Sequence, residues 1–87
     1  MISRTKKKFW DCFYSLPLQT QKDAKEAFRM FQENPFHAGL NFEKLQNSAY
    51  RSVRIGLHYR ALGQMTSSNT ITWVWIGTHA EYDKMIG

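Results

Sequence analysis

The spacing of apolar residues changes once along this chain of 87 residues, at Asn34-Pro35. Before that point apolar side chains recur every three or four positions, the spacing of a helix that buries one face. After it, β-branched and aromatic residues alternate with polar ones, as in Val53-Arg54-Ile55, the spacing of a half-buried strand. The chain is therefore predicted to fold as an α+β protein, with helices first and a sheet second.

Two amphipathic helices are predicted between Arg4 and Glu33, and together they form a helical hairpin. Pro17 separates them and fits the opening turn of the second helix, with Ser15 as the candidate N-cap. Asn34-Pro35 ends the second helix, because proline disfavours helical geometry in the residue before it.

Four strands are predicted in the second part, joined by short turns that favour antiparallel pairing. They lie near Phe42 to Gln46, Tyr50 to Gly56, Tyr59 to Met65, and Thr70 to Ile76. The last strand is apolar on both faces, so we expect it inside the sheet with the helical hairpin covering one side. The tail from Ala80 to Ile86 is predicted to form a short closing helix, and residues 1–87 make one domain.

Charge and cysteine content narrow the partner and the compartment. Twelve Lys and Arg against seven Asp and Glu give a formal charge of +5, which favours a polyanionic partner. Nucleic acid, an acidic protein and an anionic membrane face all satisfy that charge. The single Cys12 excludes an intramolecular disulfide, and no apolar run is long enough to cross a membrane. We therefore expect a soluble protein of the cytoplasm.

The predicted sheet carries a one-signed charge. No Asp or Glu occurs between Glu43 and Glu81, an interval that contains four cationic residues and two histidines. These are Lys44, Arg51, Arg54, Arg60, His58 and His79. Two interpretations stand side by side, a phosphate-binding surface and a solvated strand face.

The length of one predicted hairpin loop decides where two arginines point. An odd number of loop residues places Arg54 and Arg60 on one face, with Val53, Ile55 and Ala61 on the other. Two guanidinium groups on one face suit a phosphodiester whose negative charge grows during cleavage. An even loop separates the two arginines.

His79 follows the predicted inner strand, where functional side chains often occupy the rim of a sheet. Its imidazole can exchange protons near neutral pH, and Tyr82 can stack on a base or donate a hydrogen bond. The alternative for a lone histidine is a packing role. The three histidines lack metal-ligand spacing, so we expect no metal and no cofactor.

Two further sets of residues have simple structural interpretations. Cys12 lies in the aromatic stripe of the first helix, which favours packing over catalysis. Lys6, Lys7 and Lys8 stand near the positive end of a helix dipole, so they either bind an external anion or form a solvated terminus.

The order of these motifs resembles that of the toxins of the RelE/ParE superfamily over nearly the whole chain. The most specific parts are the central hairpin and the C-terminal segment. They read Tyr50-Arg51-Ser52-Val53-Arg54-Ile55-Gly56, then Tyr59-Arg60-Ala61-Leu62, then Ile76-Gly77-Thr78-His79-Ala80-Glu81-Tyr82.

This resemblance implies an activity and partners. RelE-like members cut messenger RNA, usually in the ribosomal decoding site and without a metal, and partner antitoxins wrap around them. Matched by position, Arg60 is the phosphate-binding residue, and His79 and Tyr82 form the C-terminal pair that transfers protons or stacks on a base. Arg54 and Lys44 match the basic partners on the sheet, and Arg54 joins Arg60, His79 and Tyr82 as a catalytic candidate, with Asp83 as a further candidate. Besides Lys44, the candidates for binding nucleic acid by their charge are Arg51, Lys6, Lys7 and Lys8.

One departure and two alternatives remain open. Many members of the superfamily begin with a strand, but Met1-Ile2-Ser3-Arg4 followed by three lysines predicts none, which leaves about four strands. A ParE-like toxin would bind and inhibit DNA gyrase without cleaving RNA. A non-catalytic RNA-binding domain would stack bases on Trp73 or Trp75, although aromatic residues on an inner strand more often belong to the core.

Overall fold

The computed structural model describes all 87 residues as three α-helices, a short 3-10 helix and a five-stranded sheet. In chain order the elements are β1 Ile2–Thr5, α1 Lys7–Tyr14, α2 Leu18–Glu33, a 3-10 turn Ala38–Leu40, β2 Glu43–Lys44, β3 Tyr50–Ile55, β4 Tyr59–Ser67, β5 Thr70–Thr78 and α3 His79–Ile86. The predicted α+β class, with a helical hairpin before the sheet and a short C-terminal helix, is confirmed. No helix has both the length and the apolar character needed to span a membrane.

The strands lie in the order β1-β5-β4-β3-β2. The four strands from β2 to β5 pair antiparallel as predicted, and β5 lies inside the sheet as predicted. The absence of an N-terminal strand was a wrong prediction, because β1 pairs parallel with β5. Backbone hydrogen bonds hold β1 there, from Ile2 to the Asn69 carbonyl at 2.8 Å and from Lys6 to the Trp73 carbonyl at 3.1 Å. Because backbone hydrogen bonds hold this edge strand, its sequence does not need to alternate apolar with polar side chains, and the strand leaves no such pattern to predict it from.

The ends of the helices agree with the sequence in one case and differ in another. Helix α2 ends at Glu33, and Asn34 is extended with φ −156°, as the following proline predicts. Ser15 does not cap α2. Its hydroxyl instead donates to the Asp11 carbonyl oxygen at 2.9 Å and closes α1, and Pro17 directly precedes α2 without a side-chain cap.

The helical hairpin packs on one face of the sheet and forms an aromatic core. Trp73 of β5 is 1% exposed, and its ring meets Phe28 and Phe31 of α2 edge-to-face at centroid distances of 5.1 Å and 5.3 Å. Phe9 and Phe13 of α1 are equally buried. Cys12 is partly buried and packs against this core. Each of these rings buries a large apolar area, which a chain this short needs for a stable core.

The opposite face of the sheet is only partly covered. Along β4 and β5 the cross-strand pairs Arg60 with Gly77 and Leu62 with Trp75 alternate with the buried pair Ala61 with Ile76. Helix α3 lies over one end of this opposite face, where its Tyr82 is 4% exposed. We call this surface the open face, and define it by Ser52, Arg54, Arg60, Leu62 and Trp75.

A substitution at Gly63 tests how closely the core is packed. A Cβ atom at Gly63 would lie 2.8 Å from Ile71 Cδ1 and 2.9 Å from Trp73 Cε3, both in buried side chains. We expect Gly63→Ala to lower the free energy of unfolding by about 1–3 kcal/mol in urea denaturation, because neither neighbour can move freely.

Gly39→Ala is the control for that measurement. The nearest atom to a Cβ at Gly39 is the exposed His37 ring at 3.4 Å, so the unfolding free energy should change by less than about 0.5 kcal/mol. Equal losses in the two variants would contradict the packing described.

Candidate functional site

The turn between β3 and β4 places two arginines opposite each other. Three residues, from Gly56 to His58, separate Ile55 from Tyr59, and Gly56 has φ +56°. The register pairs Arg54 with Arg60, while Val53 and Ile55 are buried in the core. The structure therefore has the odd loop, and the alternation along the strands directs both arginines away from the core, with Arg54 at the margin of the open face next to α2.

Arg60 is a buried cation and is only 5% exposed. Its Nη2 donates to Ser52 Oγ at 2.9 Å and to the Asn41 carbonyl oxygen at 3.4 Å, and lies 3.6 Å from Glu43 Oε2. The guanidinium carbon is 5.2 Å from the centroid of the Tyr82 ring, within the range of a cation–π contact. Arg60 is thus a fixed positive charge beneath α3 that does not reach the solvent in this conformation.

Arg54 has a different environment, although it is the cross-strand neighbour of Arg60. Its side chain is exposed, and Nε donates to the Gly56 carbonyl oxygen at 3.1 Å. It lines a groove together with Asp23 and Glu26 of α2. The register therefore brings the two arginines together, and only Arg54 is accessible to a ligand.

The start of α3 is fixed by a reciprocal capping box. Glu81 N–H donates to Thr78 Oγ1 at 3.1 Å, and Thr78 N–H donates back to Glu81 Oε1 at 3.1 Å. The backbone bond from Thr78, together with the bond from its hydroxyl, holds the pKa of Glu81 below its usual value. In addition, His79 N–H donates to the His58 carbonyl oxygen at 2.7 Å. These bonds fix the first turn of α3 against both β5 and the β3–β4 turn.

His79 and Asp83 form a hydrogen-bonded pair one helical turn apart. His79 Nδ1 lies 3.0 Å from Asp83 Oδ2, and the two side chains are 53% and 59% exposed. A carboxylate can only accept, so in the neutral imidazole Nδ1 carries the proton and Nε2 is free to accept one. The His79 ring also meets Tyr82 edge-on, with centroids 6.2 Å apart. His79, Tyr82 and Arg60 thus follow one another from the surface inward.

The predicted basic residues lie in different places. Lys6 and Lys8 line a groove on the open face together with Trp75 and Met85. Lys44 lines a second groove with Ile86, also a residue of α3. The structure therefore brings these three lysines to the borders of α3.

Two other residues predicted to bind nucleic acid, Arg51 and Lys7, do not border α3. Arg51 alternates with Tyr50 and Ser52, and its Nη1 donates to the Ser48 and Tyr50 carbonyl oxygens. Lys7 is exposed in the first turn of α1.

The residues that bury Arg60 are not evident from the sequence. Ser52 is fully buried and supplies the shortest of these hydrogen bonds, at 2.9 Å. The sequence feature that could have identified Ser52 is its polar side chain two positions before Arg54. The two residues share a strand face, which places Ser52 diagonally across from Arg60 on β4. The contact of Asp83 with His79 could have been predicted from their spacing of four residues on a helix. No three side chains of His, Cys, Asp or Glu form a group that can hold a metal ion.

Comparisons with known proteins agree on the fold. The chain is 18% identical to the YoeB/ParE toxin from Agrobacterium tumefaciens, with a TM-score of 0.71 over 91% of this chain and 99% of that one. It is 16% identical to a chain of the RelB-RelE antitoxin-toxin complex from Methanococcus jannaschii, with a TM-score of 0.75 over 97% and 99%. For YafQ from E. coli strain BL21(DE3) the identity is 15% and the TM-score 0.72, over 92% and 94%.

No curated protein matches the chain in sequence. The family model described as a ParE-like toxin domain matches residues 18–84, which include α2, the 3-10 turn, strands β2 to β5 and most of α3. The match therefore covers most of the chain and includes Arg54, Arg60, His79 and Tyr82. This protein belongs to the ParE-like toxin domain family, within the RelE/ParE superfamily that its motifs resemble.

Proposed function

We propose that this toxin is an endoribonuclease that cleaves messenger RNA on the ribosome, without a metal, and so inhibits translation. The observation that carries the proposal is the hydrogen-bonded His79–Asp83 pair, whose imidazole meets the edge of the same Tyr82 ring that covers the buried Arg60. An oriented proton-transfer group and a fixed positive charge thus contact one tyrosine ring.

RNA cleavage of this kind needs two proton transfers. The 2′-oxygen loses its proton and bonds to the neighbouring phosphorus, while the bond from phosphorus to the 5′-oxygen breaks and that oxygen gains a proton. His79 Nε2 carries one of these two protons, because Nδ1 is held by Asp83. Asp83 keeps the imidazole in one tautomer and one orientation throughout.

Cationic residues would stabilise the phosphate whose charge grows in the transition state. Arg54 is accessible for direct contact, and Arg60 adds a positive charge from beneath Tyr82. Lys6, Lys8 and Lys44 border α3 on its two grooves, where they would hold the flanking phosphates and release counterions. The three lysines support a single strand of RNA crossing the open face, with Arg60 buried beneath it and Arg54 at the margin next to α2.

A cognate antitoxin is the second partner that we propose. The chain has a formal charge of +5, and one similar structure is a RelB-RelE antitoxin-toxin complex. An acidic segment covering the borders of α3 would neutralise the lysines and block access to His79. Messenger RNA on the ribosome and an antitoxin would both meet the protein in the cytoplasm.

The family description also names ParE, which makes inhibition of DNA gyrase the second candidate. Inhibition by binding has no use for a histidine oriented by a carboxylate. The His79–Asp83 bond therefore favours cleavage, and the gyrase assay belongs in the same test.

Translation of a defined message in vitro tests the activity, with new 5′ ends mapped in the presence and absence of ribosomes. We expect wild-type protein to create new 5′ ends. His79→Ala should lower the single-turnover cleavage rate by about 10² to 10⁴-fold while folding and RNA binding stay unchanged, because it removes an exposed proton-transfer group.

His37→Ala serves as the matched control: His37 is exposed and caps the 3-10 turn by accepting a hydrogen bond from Gly39 N–H, away from α3, so the substitution should leave the cleavage rate unchanged. Cleavage at full rate by His79→Ala would contradict the catalytic role. Inhibition of gyrase supercoiling by a wild type that cuts no RNA would replace the nuclease with the ParE-like function.

Asp83→Asn tests whether Asp83 positions His79. The amide keeps the size of the side chain but loses its charge, so the cleavage rate should fall by about 10-fold, less than in His79→Ala. Nitrogen-15 NMR of the imidazole should show the Nδ1–H tautomer in the wild type and a mixture of tautomers in the variant.

Asp11→Asn on α1 is the control, because Asp11 is exposed and its side chain holds no histidine. An unchanged tautomer in Asp83→Asn, together with an unchanged rate, would remove Asp83 from the site.

A further inference from the structure

A groove of about 360 Å³ lies on the open face beside α3. Its walls combine two aromatic rings, one amide, an apolar floor and two cations. The residues that define it are Tyr50, Trp75, Gln64, Leu62, Lys6 and Lys8. We call it the aromatic groove.

The strand register explains why these side chains meet. Tyr50 of β3 lies directly opposite Gln64 of β4, and Leu62 of β4 lies directly opposite Trp75 of β5. Gln64 and Leu62 are two residues apart on one strand, so all four side chains share one face. The sheet therefore presents an amide and an aliphatic side chain between two aromatic ones.

The four side chains are accessible. Tyr50 is 38% exposed, and Leu62, Gln64 and Trp75 are half-buried. None of the hydrogen bonds within the protein involves the Gln64 side chain, which leaves its two donors and one acceptor for a ligand.

The chemistry of the groove matches a single nucleotide. Aromatic side chains stack on the π-face of any base, and an amide can donate to and accept from a base edge. Two lysines and no carboxylate line the groove, so a phosphate meets only positive charge there. An acidic protein segment would use the lysines, but its carboxylates have no need of two aromatic stacking surfaces.

We propose that the aromatic groove is a subsite for one unpaired base of single-stranded RNA, and that Gln64 determines which base is preferred. The inference rests on the proposed function, since it names a part of the same RNA. Met85 also lines the groove, six residues after His79 on α3, which is about 9 Å along a helix axis. The base bound here thus lies close to the cleaved bond.

Non-cleavable probes separate this proposal from the nuclease activity. The probes are 2′-O-methyl RNA trinucleotides with A, C, G or U in the middle position, which lack the attacking hydroxyl group. In ¹H–¹⁵N NMR titrations we expect the Trp75 indole and Gln64 amide signals to shift. The Trp10 indole, on α1 at the other face, should not move.

Variants test the two kinds of contact. Tyr50→Ala should weaken binding of all four probes by about 10-fold, because it removes a stacking surface. Gln64→Ala should remove a preference among the probes of about 5-fold or more, because it removes the amide that reads the base edge. Gln32→Ala on α2 removes an amide of the same kind outside the groove and should change neither the affinity for the probes nor the base preference.

The groove proposal is overturned if Trp75 and Gln64 do not shift, if Trp10 shifts as much as they do, or if Gln64→Ala keeps the base preference of the wild type. Cleavage is scored separately in the translation assay. Cleavage of mRNA without these shifts refutes the groove alone, whereas binding of the probes without any cleavage refutes the nuclease alone.

Discussion

The contact of the Arg60 guanidinium with Tyr82 is the interaction on which the open face depends. It joins β4 to α3, and through Ser52, Asn41 and Glu43 it also joins β3 and the segment that leads into β2. A buried guanidinium loses its hydration, so it is stable only where several acceptors replace water. Three oxygen atoms, from Ser52, Asn41 and Glu43, surround Nη2, and the Tyr82 ring that covers the guanidinium holds α3 above one end of the sheet.

The inner strand connects this surface to the core. Along β5, Trp73 belongs to the aromatic core, Trp75 lies on the open face, and Thr78 caps the helix that begins with His79. The Trp75 ring lies across Gly77, where a Cβ atom would be 2.8 Å from Trp75 Cη2. Four residues of one strand thus set both the packing of the core and the position of the proposed catalytic group.

Local patterns in the sequence account for the parts of the fold that local physics decides. The change of period predicts the hairpin and the sheet, the apolar run from Ile71 places β5 inside, and the odd loop after Ile55 pairs the two arginines. Strand β1 escapes prediction because backbone hydrogen bonds to β5 hold it, and its side chains are mostly exposed. The burial of Arg60 is not predicted either, because the residues that surround it come from separate segments and meet only in the folded protein.

The proposed mechanism requires RNA to lie on the open face beside α3. Photo-crosslinking of an mRNA fragment that carries 4-thiouridine, followed by mass spectrometry of the linked peptides, tests this position. We expect cross-links to peptides that contain Tyr50, Trp75 or residues of α3. Cross-links confined to Trp10 and Tyr14, the exposed aromatic residues of α1 behind the sheet, would contradict it.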